Sequence, residues 1–271
     1  MPKEYEKGDI GMRFCPLCSG SSGNATYIEA GNARLLVDAG LSCKRITALL
    51  QQVGADPGSL TAILITHEHS DHISGVNILS KKYDLPVYAN EACWRRMLPY
   101  MPGVAPRNVR VFETDRPFSI DGVTVLPFHG YHDSVAPVGY VIAYREQRVA
   151  ICTDIGHIDD RILDLLSGCG LVLLEANHDV DMLMAGWYPY PLKQRILSGD
   201  GHLCNEDCAK ALIELYHRGL RNAILGHLSA ENNSPDLAMI TVRSMLEQAG
   251  IGEDLHVALA RRSEPTGVFT L

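Results

Sequence analysis

The stretch AILITHEHSDHISG, residues 62–75, constrains this chain more than any other. Its opening run is apolar and β-branched, which predicts a buried strand over 60–65. Directly behind that strand come His67, His69, Asp71 and His72. In an extended or tightly turned segment, residues two apart face one side, so His67 and His69 can bind one ion together. Asp71 and His72 lie past the turn, at the expected start of a helix, and can face a second ion from the other side. Neutral imidazole and ionised carboxylate are both available at pH 7. A histidine-rich surface loop is the plain alternative, but this density of ligand atoms behind a buried strand favours a metal centre.

Two ions need about six to eight ligands, so further donors must come from elsewhere. Asp154 in CTDIG, His132 in HGYHDS and His227 in LGHLS each follow a predicted strand, where α/β proteins gather their sites. Any one of them alone reads as a structural histidine or a loop acid. Together with the 67–72 cluster they complete a dinuclear set, in which a single carboxylate at Asp154 can bridge both ions. His129, three residues before His132, competes for its place. The donors are nitrogen and oxygen without thiolate, so Zn²⁺ is the default occupant and Mn²⁺ is compatible.

Short β-type runs at 13–17, 25–29 and 34–37 precede a helix at 42–53, and helices follow at 72–82 and 91–98 around a short strand at 86–88. Strands are predicted at 109–112, 123–128, 138–144 and 148–152. The chain then alternates: helix 158–166, strand 171–174, helix 205–217, strand 223–226, helix 235–248, strand 256–259. Hairpin-rich β structure followed by alternation predicts an α/β (α+β) fold of two mixed sheets face to face, with helices on both outer faces. No linker divides the 271 residues, so residues 12–271 read as a single domain behind a flexible extension at 1–11.

The charge balance of −8 argues against generic nucleic-acid binding. Locally, seven basic residues stand against four acids between Lys81 and Arg116, which reads as solvated surface or as a track for an anionic substrate. No apolar run is long enough to span a bilayer, and the charged N-terminus lacks a secretory h-region. Eight cysteines without such a signal point to a reducing, cytoplasmic setting. Cys15 and Cys18 have zinc-knuckle spacing, and with Cys204 and Cys208 they make either a four-thiolate zinc site or four buried thiols.

THEHSDH with His132, Asp154 and His227 resembles the metallo-β-lactamase fold family over nearly the whole chain. The resemblance implies a four-layer αβ/βα sandwich and two divalent metal ions. By it, His67, His69 and His132 would hold the first ion, Asp71, His72 and His227 the second, with Asp154 bridging. The segment HDSVAPVGY looks like the family's third motif, which favours His132 over His129. SGSSGNATYIEAG, LLVDAGLS, TDIG, LEANHD, YPLKQRI, GHLCN and LGHLSAENN further resemble the YycJ/WalJ-like exodeoxyribonuclease subfamily. One departure is Cys204, where that subfamily typically shows Ser. The second half is also similar to ribonuclease Z, by which His202 would be a general acid oriented by Glu175. Without that likeness His202 reads as a loop histidine ahead of a helix.

These resemblances imply a 5′→3′ exodeoxyribonuclease acting on DNA in replication or repair, with replication or repair proteins as partners. In such a reaction a water of lowered pKa attacks phosphorus, Asp71 holds its proton, and His202 protonates the leaving oxygen. Ser21, Ser22 and Asn24 in the glycine-rich loop either cradle a phosphate or only make a hairpin turn. His178 and Asn232 either contact substrate or brace the site, and Trp187 and Tyr188 either stack on a base or join the core. Metal ligands alone do not fix the substrate, so an RNA or cyclic phosphodiesterase and a thioesterase of glyoxalase II type remain alternatives. A non-catalytic metal-binding regulatory module is a further alternative, which the full set of ligand positions disfavours.

Overall fold

The computed structural model describes residues 11–271, so the expected extension lies, but for Gly11, outside the described residues. The first half of the chain builds one mixed sheet. β1 (Arg13–Cys18), β2 (Ala25–Ala30) and β3 (Ala33–Val37) form an antiparallel meander. β4 (Ala62–Leu64), β5 (Val87–Asn90) and β6 (Val109–Phe112) add to β3 in parallel. The second half follows the same plan. β7 (Phe118–Ile120), β8 (Val123–His129), β9 (Val138–Tyr144) and β10 (Gln147–Cys152) pair antiparallel. β11 (Leu171–Glu175), β12 (Asn222–Gly226) and β13 (His256–Leu259) continue in parallel. β14 (Phe269–Thr270) returns to pair with β1. Among the described residues this gives two seven-stranded sheets, ordered β14-β1-β2-β3-β4-β5-β6 and β13-β12-β11-β10-β9-β8-β7.

The period of two along each strand explains the layering. In β11, Leu171 and Leu173 enter the core between the sheets, while Val172 and Leu174 face the helices outside. Strands buried on both faces therefore read as unbroken apolar runs. On the first sheet's outer face, α1 (Cys43–Gln52) contributes Ile46, Leu49 and Leu50. α2 (Ser70–Ile73), α3 (Val76–Tyr83) and α4 (Glu91–Met97) follow on this half. On the second sheet's outer face α5 (Asp160–Leu166) packs, and α6 (Val180–Ala185) and α7 (Tyr190–Ile196) lead on to α8 (Asn205–His217) and α9 (Pro235–Gln248). The expected four-layer sandwich is borne out.

Three departures have physical causes. The helix expected over 72–82 is two helices, α2 and α3, separated at Gly75. A Cβ there would stand 2.3 Å from the Leu41 carbonyl oxygen, and the Gly75 N–H bonds Ala39 O, so the chain is pinned against the 39–41 turn. α6 and α7 were not expected, because helices of six and seven residues interrupted by Gly186 and Pro189 carry no sustained 3.6-residue period. The four-thiolate site is not formed. Cys15 and Cys18 lie in a strand, not a turn, and face the core under α1, whereas Cys208 packs in the core outside the second sheet. Both sheets lie between them. All eight cysteines are free and buried, and burial pushes the Cys15 thiol up to about 11 and those of Cys18 and Cys204 to about 12.

The seven basic residues between Lys81 and Arg116 include three in ion pairs. Arg95 pairs with Glu91, Arg107 with Asp84 and Arg116 with Glu113, all on exposed surface. No helix among the described residues is long and apolar enough to cross a membrane.

Candidate metal centre

Six strands deliver side chains to one edge of the sandwich, each from its carboxyl end: Asp38 after β3, His67 after β4, His132 after β8, Asp154 after β10, Glu175 closing β11 and His227 after β12. Three of these residues, Asp38, Asp154 and His227, have φ between 54° and 60°. Left-handed backbone at non-glycine residues costs roughly 1–3 kcal/mol each and clusters at functional sites.

His67 Nε2 and His69 Nδ1 are 3.1 Å apart, and the His132 ring centroid is 5.0 Å from that of His67 and 5.2 Å from that of His69. Donor atoms of these three residues all fall within 4.8 Å of one another. Asp71, His72 and His227 form a second such group. Asp154 stands between the two: Oδ1 is 3.8 Å from His132 Nε2 and 3.4 Å from His227 Nδ1, and Oδ2 is 3.3 Å from His72 Nε2. His129, the rival of His132, is exposed at the end of β8 and takes no part.

The outer ring nitrogens are each occupied, which fixes the tautomers. His72 Nδ1 donates to Asp38 Oδ2 at 2.8 Å, and His227 Nδ1 donates to Glu175 Oε1 at 2.8 Å. His132 Nδ1 donates to the Gly201 carbonyl at 3.2 Å. The Thr66 hydroxyl donates to Asp38 Oδ2 and so accepts from His67 Nδ1 at 3.0 Å. The inner nitrogens point into one interior, where each can present a lone pair to a cation that displaces its proton. His227 Nε2 and Asp154 Oδ2 are buried there without a hydrogen-bond partner. Unpaired buried polar atoms are costly, and a divalent cation would satisfy both.

The electrostatics agree with that fit. Burial holds His67 well below the ordinary imidazole range, with the neighbouring His72 adding to it, and burial lowers His132 too. Both are thus neutral, the form that ligates. Burial works to lower His227, but Asp154, Asp71 and Glu175 outweigh it and bring it up to about 10. Burial would raise Glu175, but His202 and His227 bring it down to about 2. Carboxylates crowded at this density demand positive charge.

Glu175 Oε1 also accepts from His202 Nδ1 at 2.8 Å, and Oε2 accepts from the Ile155 N–H at 2.7 Å. His202 borders a cavity of about 190 Å³, shared with His227, Ser21, Tyr188, Arg195 and Asp133. Asp133 pairs with Arg195 across this cavity. Ser21 and Ser22 are exposed at the loop tip. Asn24 turns inward: its Oδ1 accepts from Gly20 N–H and its Nδ2 lies 3.0 Å from His72 Nε2. His178 and Asn232, considered as substrate contacts, are only 1% and 2% exposed. Their main-chain carbonyls are paired: Asn232 O accepts from Asp179 N–H and His178 O from Asn205 N–H. Trp187, considered as a core residue, is 76% exposed, which corrects that expectation.

Sequence reasoning missed Asp38, Thr66 and Ser19. Asp38 orients His72, Thr66 links Asp38 to His67, and Ser19 Oγ accepts the His227 N–H at 2.9 Å. Asp38 had a signal: like Asp154 it is an acid directly behind a buried strand.

The sequence pattern of the beta-lactamase superfamily domain matches residues 33–228. The chain is 43% identical over 253 residues to exodeoxyribonuclease WalJ of Streptococcus pneumoniae, covering 92% of this chain and 94% of that protein. It is 39% identical over 243 residues to exodeoxyribonuclease YycJ of Bacillus anthracis, covering 90% and 92%. Among solved structures, the metallo-beta-lactamase fold protein YhfI of Bacillus subtilis superposes with a TM-score of 0.71 at 18% identity, covering 94% of this chain and 98% of that one.

Proposed function

Because the chain belongs to the beta-lactamase superfamily and, within it, to the family of the WalJ and YycJ exodeoxyribonucleases, we propose that it is a dinuclear-metal 5′→3′ exodeoxyribonuclease. The observation that carries this reading is the Asp154 carboxylate, shared between the His132 side and the His72/His227 side of one buried cluster. His67, His69 and His132 would hold one ion, and Asp71, His72 and His227 the other, with Asp154 common to both. Zn²⁺ and Mn²⁺ both suit such nitrogen and oxygen donors. When bound, the pair supplies a water of lowered pKa and neutralises charge on a phosphoryl group.

The chain's own residues do the rest. Asp71 Oδ2, 3.5 Å from His72 Nε2 and 3.9 Å from His227 Nε2, takes and holds the proton of the attacking water. His202 donates through Nδ1 to Glu175, which leaves Nε2–H of the imidazolium for the leaving oxygen. Burial lowers the His202 pKa, but the Glu175 charge and hydrogen bond outweigh it, so the imidazolium persists above the ordinary range. Ser21 and the Arg195 guanidinium in the adjoining cavity bind the phosphate backbone. Eight free, buried thiols support a reducing cytoplasm as the setting, and the relatives' names support DNA as the substrate.

The test is degradation of end-labelled duplex and single-stranded DNA with Mn²⁺ or Zn²⁺, beside RNA and a thioester. Mononucleotides released progressively from the 5′ end of DNA are expected. Faster turnover of RNA or of the thioester would replace the DNA reading with another hydrolase. Tight DNA binding with rates unmoved by Asp71→Ala would favour a non-catalytic module.

A further inference from the structure

The segment between β11 and α8 exposes large apolar side chains beside the cavity. Met182, Met184, Trp187, Tyr190 and Leu197 are all exposed within sixteen residues, with Trp187 at 76% and Tyr190 at 65%. Exposed apolar side chains gathered in one segment are candidates for an interaction site.

Its geometry is fixed. Lys193, itself buried, donates from Nζ to the carbonyls of Met184 and Gly186 at 2.7 Å each, clamping the turn between α6 and α7. Gly186 is seated against Asn232 Oδ1, which a Cβ would approach to 3.0 Å. The Trp187 indole is tied by its edge, Nε1 donating to Glu231 Oε2 at 3.4 Å, which leaves a ring face open. Trp187 meets Tyr188 edge-to-face with centroids 4.9 Å apart, and Tyr188 lines the same cavity as His202, His227 and Arg195. An exposed aromatic surface thus runs into the site, with a guanidinium alongside.

Resting on the nuclease reading, we infer that Trp187, backed by Tyr188, is a stacking platform for a base of the DNA strand entering the site. Every base offers a π-face, so this platform grips single-stranded ends without regard to sequence, while Arg195 attends to the backbone. Trp187 is a positioning residue: it touches the substrate away from the reacting phosphorus.

The chain has two tryptophans, and Trp94 is 3% exposed, so quenching by a bound strand reports Trp187. The probe is a nuclease-resistant phosphorothioate dT decamer with a 5′-phosphate, titrated into the metal-loaded protein, beside an abasic decamer of equal charge. The dT decamer should quench emission and bind Trp187→Ala roughly 5- to 100-fold more weakly than wild type, with Trp187→Phe recovering most of the affinity. The abasic decamer should bind wild type and Trp187→Ala alike. Equal affinity of wild type and Trp187→Ala for the dT decamer, with DNA still degraded by wild type, overturns the platform and leaves the nuclease reading intact. A shift from dimer to monomer in Trp187→Ala without loss of DNA affinity also overturns it, assigning the surface to a second copy. If wild type degrades no DNA while cleaving another ester, the nuclease reading itself fails.

Discussion

Asp38 Oδ2 receives the His72 Nδ1 proton at 2.8 Å, while Oδ1 of the same carboxylate accepts the Thr66 N–H at 2.9 Å. Asp38 touches none of the inner ligand atoms, yet it sets which nitrogen of His72 carries the lone pair. Asp38→Ala should weaken Zn²⁺ or Mn²⁺ binding roughly 10- to 100-fold. Chelator competition measures this, and affinity equal to wild type would show that His72 needs no such partner.

His202 lies within ligating reach of Asp154, Glu175 and His227, and is the candidate general acid. His202→Ala should lower kcat roughly 10²- to 10⁴-fold with the metal content unchanged by elemental analysis. Loss of metal together with activity would make His202 a ligand instead.

Glu175 keeps His202 protonated to higher pH than an ordinary imidazole. The acid form is active, so activity falls as pH rises through the raised pKa. Glu175→Gln removes the raising charge, and the alkaline limb of the kcat–pH profile should move to lower pH. A limb that stays in place assigns it to another group.

Removing the metals should expose the crowding of Asp71, Asp154 and Glu175 around His72 and His227. Binding of a ligand to the folded state at about 1,000 times its Kd adds about 4 kcal/mol. Chelation should therefore lower the melting temperature by several degrees, reversibly on adding Zn²⁺ or Mn²⁺. Calorimetry at fixed pH is the measurement, and an unmoved transition would deny that the cluster binds metal.

Buried thiols should be inert. With Cys15 raised to about 11 and Cys18 and Cys204 to about 12, burial being the main cause in each, these thiols stay protonated at pH 8. Iodoacetamide should label the native protein slowly and the denatured protein fully, as mass spectrometry would count. Rapid native labelling of Cys18 or Cys204 would contradict the packing described for them.

Gly40 admits no side chain. A Cβ there would stand 1.6 Å from the Asp71 carbonyl oxygen, which is backbone and cannot swing aside. Gly40→Ala should cost at least about 1–3 kcal/mol of stability, read as a lower denaturant midpoint.

The sequence by itself determined the layered sandwich and the candidate ligands. Alternating and unbroken apolar runs dictate which strands are buried on one face or two, and donors packed directly behind a strand have little freedom in where they face. His67, His69, Asp71 and His72 were legible for that reason, and His132, Asp154 and His227 because each also follows a strand. The tertiary structure alone decided what lies around them. Asp38, Ser19 and Thr66 act through hydrogen bonds to residues up to 208 positions away, a relation that no local period encodes. It also parted Cys15 and Cys18 from Cys208 by two sheets, and lifted Trp187 out of the core, because short helices broken by Gly186 and Pro189 carry no pattern that says which side is in. Periodicity reports burial along one element; the meeting of distant elements depends on how the sheets close.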